Sequence, residues 1–300
     1  MLTFHPLTLS DKEKIDVYVK KENSRSGDFN FNTMFLWDDK FRRMVADGDA
    51  YIVALRPDGG APLFLWPIGS GDPAPIVREM LDYCAAEGFP LSFFGLEERH
   101  AEALEAMFPG KFTIAEDRDY EDYIYEAEKL ITLGGKHLHG KRNHINRFIQ
   151  EHEWRFEPLT RELFPECNAL LEGWTEQTDT SVGMVGSEHT AIMRSFAHFE
   201  VLGLEGGALF AEDQLVAFSI GEKIAPDTFQ VRFEKARSDI NGAYPMINRE
   251  FVKLITERNP DIRYINREDD MGMENLRKSK QSYYPAFLLR KFTARQTGAI

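Results

Sequence analysis

The sequence predicts an α/β (α+β) protein of two similar units, each a mixed sheet flanked by helices. Three observations lead there. Strand–turn–strand patterns occur in both halves, "YIVALRPDGGAPLFLWPIG" and "GALFAEDQLVAFSIGEKI", with "RPDGG" and "AEDQ" as turns between apolar runs. Each is followed by an amphipathic helix and a further strand: "PIVREMLDYCAAEGFP" then "LSFFGLEE", and "PMINREFVKLITERNP" then "IRYINRED". The punctuation repeats as well. Pro75 and Pro90 recur 170 residues later as Pro245 and Pro260, and Arg78-Glu79 recurs 171 residues later as Arg249-Glu250. Shared order, register and punctuation predict an internal duplication. Hairpins followed by strand–helix alternation predict mixed rather than purely parallel sheets.

The remaining elements follow in order. "SDKEKIDVYVKKE" opens the chain as a helix, with Ser10 as N-cap and Glu13 three residues on, the capping-box spacing. Residues 115–129, "AEDRDYEDYIYEAEK", hold seven acids against two basic residues, whereas residues 134–150, "GGKHLHGKRNHINRFIQ", hold four Lys or Arg, three His and no acid. That flip of sign across "GG" predicts a junction near residue 130, hence domains 1–130 and 131–300. From Lys141 a helix is expected, with Ile145, Phe148 and Ile149 facing the core. "SEHTAIMRSFAHFEVLG" predicts a helix capped by Ser187 and closed by Gly203. "SYYPAFLLRKF" predicts a final apolar strand sealing the C-terminal unit.

Composition sets the bounds. The 300 residues are 43% hydrophobic and 28% charged, ordinary globular values for one large domain or two of about 150 residues. Cys84 and Cys167 lie far apart in no ligand-like spacing, which predicts two core thiols in a reducing compartment. The N-terminus lacks a basic segment followed by an apolar run, so no signal peptide is expected. The longest nearly apolar stretch, "APLFLWPIG", is far short of the ~20 residues a spanning helix needs, and a cytoplasmic protein is expected. A net charge of −13 excludes nonspecific coating of nucleic acid but leaves room for a local basic patch.

Three segments carry candidate chemistry. The basic stretch offers Lys136, Lys141, Arg142, Asn143, His144 and Asn146 as donors to phosphate oxygens; the alternative is a solvated helix face. No carboxylate or cysteine accompanies its histidines, so no metal is expected. In "TFQVRFEKARSDINGAYPMINREF", alternation puts Arg232 and Glu234 on one side of a strand and Phe233 and Lys235 on the other. The loop after it holds Arg237, an acid at Asp239 and the single Gly242. That is a poor cradle for a pyrophosphate, and the CoA signal is weak. The third segment, "INREDDMGMENLRKSKQSYYP", runs an apolar strand into Asn266, Glu268, Asp269 and Asp270, then into a helix bearing Arg277 and Lys280. Strand C-terminal ends border ligand crevices in mixed α/β folds. The acids are expected to handle an ammonium or a proton, and the cations a phosphate or a developing oxyanion. A structural ion-pair cluster is the alternative.

"GKRNHINRF", "FEKA", "INGAYPMINREF" and "INREDDMGMENLRKSKQSYYPAFLLRKF" together resemble the signature blocks of the family related to the C-terminal domain of phosphatidylglycerol lysyltransferases. The resemblance is strong over the second half and loose over the first. It implies tandem acetyltransferase-like (GNAT) domains, as in the Fem peptidoglycan aminoacyltransferases. Members with established activity move an aminoacyl group from aminoacyl-tRNA to a lipid headgroup. By similarity the motif positions fall on Arg142, Asn143, Asn146, Glu234, Lys235, Glu268, Asp269, Arg277 and Lys280, with Tyr283 opening the Tyr-x-Pro element. The lipid-modifying synthases carry a large membrane-embedded N-terminal part, and nothing in this sequence is expected to span a bilayer. The acceptor is therefore a small molecule or a lipid headgroup. No cofactor is implied, the donor being aminoacyl-tRNA or acyl-CoA. The expected site is a crevice between the two halves, with Glu268, Asp269 and Lys280 catalytic. An acyl-CoA N-acyltransferase and a noncatalytic binding module are the competing readings.

Overall fold

Two mixed sheets flanked by helices organise the computed structural model of the chain, which describes residues 2–48, 50–57, 59–177 and 184–297. The chain begins with β1 (His5–Pro6), α1 (Lys12–Glu22), α2 (Phe31–Leu36), α3 (Asp38–Phe41) and the hairpin β2 (Met44–Gly48) and β3 (Tyr51–Arg56). It continues through β4 (Leu63–Phe64), β5 (Ile68–Gly69), α4 (Ala74–Glu87), β6 (Ser92–Glu97), α5 (Glu98–Met107) and β7 (Phe112–Glu116). Next come β8 (Asp122–Glu126), α6 (Ala127–Thr132), α7 (His139–Glu151), β9 (Trp154–Pro158), α8 (Phe164–Gln177) and α9 (Met184–Ala197). β10 (Glu205–Ala211), β11 (Gln214–Ala225), β12 (Thr228–Ala236), α10 (Ala243–Arg258), β13 (Tyr264–Asn266), α11 (Glu274–Gln281), β14 (Phe287–Leu289) and β15 (Lys291–Gln296) complete it.

The first unit comprises residues 1–122, 269–273 and 288–300; the second comprises 123–268 and 274–287. The first sheet runs β1-β2-β3-β4-β6-β15-β7, with β5 also on β3, and the second runs β14-β8-β13-β12-β11-β10-β9. Two parallel pairs mark helical crossovers among mostly antiparallel neighbours: β4 pairs in parallel with β6 past α4, and β12 with β13 past α10. The two crossover helices are those the repeat marks, and each obeys its local signals. α4 has Pro75 in its first turn and ends on Gly88 at φ 78°.

Four details differ from expectation. Helix α1 is preceded by a short turn whose cap is Thr8, its N–H donating to Asp11 Oδ2 at 2.7 Å; the caps are thus Thr8 for the turn and Asp11 for α1, on either side of Ser10. α9 starts at Met184, so Ser187 lies within its first turn. On α7 only Ile145 and Phe148 are buried, while Ile149 is 38% exposed, because the helix presents a narrow stripe. The fourth concerns "SYYPAFLLRKF". Its last strand, β15, does not seal the C-terminal unit but inserts between β6 and β7 of the first sheet. The reason is electrostatic. Lys291 is buried with Asp28 at 2.7 Å and Asp122 at 2.8 Å, and a buried ammonium holds its place only where such carboxylates meet it. Asp58 of the "RPDGG" turn lies outside the described residues. Both cysteines are buried free thiols, and burial pushes each up to about 12.

Candidate active site in the second unit

The ladder between β11 and β12 slips by one residue: Ile220 pairs with Phe233, but Gly221 pairs with Val231, leaving Arg232 as the extra residue of a bulge. Gly221 is obligatory there, since a Cβ would sit 2.1 Å from the carbonyl oxygen of Gln230. The bulge aims Arg232 at carboxylates on two elements. Its Nε donates to Glu222 of β11, and its Nη1 lies 3.6 Å from Glu268 Oε1 just past β13. Gln230, fully buried on the same strand, donates its side-chain amide to the same Glu268 oxygen.

Glu268 is therefore gripped from the protein interior. Its backbone sits in the left-handed region at φ 58°, a conformation that costs a non-glycine residue on the order of 1 kcal/mol or more. Two contacts hold that turn. The buried Asn266 Oδ1 accepts the Glu268 N–H at 2.6 Å, and the Lys280 ammonium on α11 donates to the carbonyls of Arg267 and Glu268, the latter at 3.3 Å. Tyr125 of β8 anchors α11 in turn, its hydroxyl donating to the Lys280 carbonyl at 2.7 Å. The Glu268 side chain keeps 29% exposure, so a carboxylate held by the buried Gln230 amide and the buried Arg232 charge still meets solvent.

Beside it lies a group of cations on aromatic rings. Arg267 has its Cζ 5.0 Å from the Tyr283 ring centroid and 5.8 Å from that of Tyr125, and it pairs with Glu234 at 2.8 Å. Asn248 of α10 donates to the other Glu234 oxygen at 3.1 Å. Burial pulls the Arg267 guanidinium down, but Glu234 and the two phenols outweigh it and the net shift is upward. Lys141 of α7 places its ammonium 4.2 Å from the Tyr283 ring centroid. Burial, then repulsion from Arg267, lowers its pKa. Burial raises the Tyr125 and Tyr283 phenols well above their usual range.

The expected residues thus separate. Glu268, Asn266, Arg232, Glu234, Lys280, Lys141 and Tyr283 come together within the second unit. Arg277 is half-buried on α11, and Lys235 pairs with Glu188 of α9 at 2.8 Å. Asp269 and Asp270 belong to the first unit. Asp269 accepts the Met271 N–H at 3.0 Å; Asp270 is buried, 3.4 Å from Arg118, and accepts the Gly272 N–H at 3.0 Å. In the basic stretch, Arg142 donates to the carbonyls of Leu133 and Gly135, tying down the loop before α7. Asn143 lies 3.1 Å from His139, His144 bonds Asn241 at 2.7 Å, and Lys136 and Asn146 are exposed. In the loop before α10, Arg237 is paired with Asp239 at 2.7 Å, and Gly242 packs so tightly on α7 that a Cβ would lie 2.4 Å from the His144 carbonyl.

Sequence reasoning missed Gln230, Glu222, Asn248, Arg267 and Tyr125. Arg267 stood inside the flagged "NRED" but was not singled out there; the strand ends at Asn266 and Glu268 turns left-handed. Tyr125 stood in the acidic run, where charge hid its role as a strand neighbour of β13.

The family described as phosphatidylglycerol lysyltransferase, C-terminal, matches residues 20–295. A conserved protein of unknown function from Bacteroides thetaiotaomicron is 36% identical and superposes with a TM-score of 0.93 over 99% of this chain and 100% of that one. L-PGS from Bacillus licheniformis (16% identity, TM-score 0.68, 97% and 93% covered) and FemX (9%, 0.60, 97% and 96%) share the fold. An uncharacterized protein of Mycoplasmoides gallisepticum is 26% identical over 174 residues, 57% of this chain and 54% of that protein, so the match spans about half its length. The tandem acetyltransferase-like architecture is thus the one adopted, and the chain belongs to the phosphatidylglycerol lysyltransferase C-terminal family, a family of transferases. Among the described residues no helix is long and apolar enough to cross a membrane.

Proposed function

From that membership we propose that the chain is an acyltransferase of the aminoacyl type, moving an aminoacyl group from an aminoacyl-tRNA ester to an amine or hydroxyl acceptor. One observation carries the reading: the Glu268 carboxylate, fixed by Gln230 and Arg232 in a strained turn, reaches solvent beside the Arg267–Tyr283–Lys141 group. A carboxylate held this way is a counter-ion for an ammonium, which an aminoacyl donor has and an acetyl group lacks. In the step itself the acceptor's lone pair attacks the ester carbonyl and the bond to the ribose oxygen breaks. The acceptor's proton ends on the departing ribose hydroxyl. Glu268 binds the ammonium or relays that proton; Lys141, half-buried over the Tyr283 ring, is the cation assigned to the developing oxyanion. Lys280 acts through Glu268 and is a positioning residue.

The geometry gives the acyl-CoA alternative less support. In the loop before α10, Arg237 is engaged by Asp239, and the one glycine serves to pack the loop on α7. The test is a thermal-shift comparison of charged tRNA, acetyl-CoA and anionic headgroups, paired with transfer of labelled amino acid in a cell extract. Stabilisation by charged tRNA with labelled product is expected. Stabilisation by acetyl-CoA alone overturns the donor assignment, and no turnover with any donor supports a binding module.

A further inference from the structure

The first unit gathers two arginines and a lysine around one pair of aromatic rings, with Asp28, Asp38 and Asp269 within electrostatic reach. Arg43 precedes β2 and Arg56 ends β3; since Met44 lies opposite Leu55, the same register puts the two arginines opposite each other. Like charges directly across a ladder are destabilising. Both guanidinium groups lie in one aromatic slot. The Arg56 Cζ is 4.1 Å from the Phe94 ring centroid and 4.9 Å from that of Phe41, and the Arg43 Cζ is 5.3 Å from each.

Arg43 is 2% exposed, and its Nε and Nη1, like the Arg56 Nε, are buried with no hydrogen-bond partner among the described residues. The nearby carboxylates act on the guanidinium groups at a distance only: Asp28 attracts both but bonds Lys291 at 2.7 Å, and Asp38 attracts Arg43 but accepts its backbone N–H at 2.7 Å, while Asp269 attracts Lys40. Burial first, then repulsion from Arg56, brings Arg43 down to about 10, so it remains charged at neutral pH. The cluster reaches the surface at Lys40 and Tyr120, both within the electrostatic reach of Arg56.

Rings 4.1 to 5.3 Å from the two guanidinium carbons supply apolar neighbours, and the partnerless N–H groups are the donors a tetrahedral oxyanion would take. A dianion with three acceptor oxygens matches two facing arginines and a lysine better than a single carboxylate does. We propose that Arg43 and Arg56 form a binding site for a phosphate group, carried by a soluble phosphate ester or by a lipid headgroup, with Lys40 at its mouth. The site does not depend on the transferase reading, which uses none of these residues.

The test uses the full chain in phosphate-free buffer, with melting followed against inorganic phosphate, glycerol phosphate and sodium chloride of matched ionic strength. Flotation with vesicles of anionic or neutral phospholipid forms the second arm. The wild type is expected to melt at higher temperature with phosphate but not with chloride, and Arg56→Gln to weaken that response at least tenfold. Arg56→Gln also raises the melting temperature of the ligand-free protein, because the repulsion on Arg43 is lifted. A response confined to soluble phosphates identifies a soluble ester; Arg56-dependent flotation with anionic vesicles alone identifies a headgroup. Lys40→Gln, expected to weaken binding about threefold, keeps the proposal testable where Arg56→Gln fails to fold. A phosphate response matched by chloride, or unchanged in Arg56→Gln, overturns it.

Discussion

Two clusters of charge, one in each unit, follow opposite rules. In the second unit each buried cation of the site meets an acid or a carbonyl: Arg232 meets Glu222, Arg267 meets Glu234, and Lys280 caps two carbonyls. In the first unit Arg43 and Arg56 face each other, and among the described residues no carboxylate hydrogen-bonds either guanidinium. The difference teaches that the second site is complete as a scaffold and directs one carboxylate outward, whereas the first awaits a negative partner. Balanced charge fixes geometry; unbalanced charge marks a place for a ligand.

The largest expected effect comes from breaking the balance. Glu234→Ala leaves Arg267 buried and unpaired and should cost about 3–5 kcal/mol of stability, measured by chemical denaturation. A loss below about 1 kcal/mol would mean the pair is solvated and the scaffold looser than described. Next is Lys280→Met, which removes two contacts to carbonyls and should cost about 1–2 kcal/mol. Because the lysine acts through the Glu268 turn, it should change the affinity for an amine-bearing donor along with stability. A pure rate effect at wild-type affinity would restore Lys280 as an oxyanion donor.

A smaller effect tests the tolerance of the first unit for like charge. Burial, then a hydrogen bond that the protonated Glu121 donates to Glu116, raises Glu121 to about 7. An unfolded glutamate titrates near about 4.3, so between those values the folded form holds the extra proton. Stability contributed by this group is therefore lost as pH rises from about 4.3 through about 7, and Glu121→Gln should flatten that limb of a melting-temperature profile. Glu116 has the opposite sign: the Arg290 hydrogen bond, first among its causes, brings it to about 2, and its contribution is lost only as pH falls below about 4.3. The smallest effect concerns the basic stretch. With Arg142 on carbonyls and Arg147 on Glu151, tRNA binding should show a log–log salt slope of about −1 to −2, against about −4 if all four cations held phosphates.

How far the sequence could be read depended on whether a signal was local. The hairpins, α4 and α10 carry their own turns, caps and periodicity, and they were legible. The insertion of β15 into the first sheet was not, because it depends on Asp28 and Asp122 meeting Lys291 across more than 160 residues of chain. In the site, Glu268, Arg232 and Glu234 were legible as charges out of place on an apolar strand. The bulge at Arg232 and the left-handed Glu268 were not, since each shifts the alternation from which side-chain direction is inferred. Arg142 misled for a related reason: a conspicuous cation can serve the loop beside it.

Glu268 is the residue on which the proposed transfer turns most directly. Transfer of labelled amino acid from charged tRNA should fall between about tenfold and a hundredfold in Glu268→Gln, the loss of one charge-assisted contact, while the melting temperature stays close to that of the wild type. Undiminished transfer by a folded Glu268→Gln protein would contradict it.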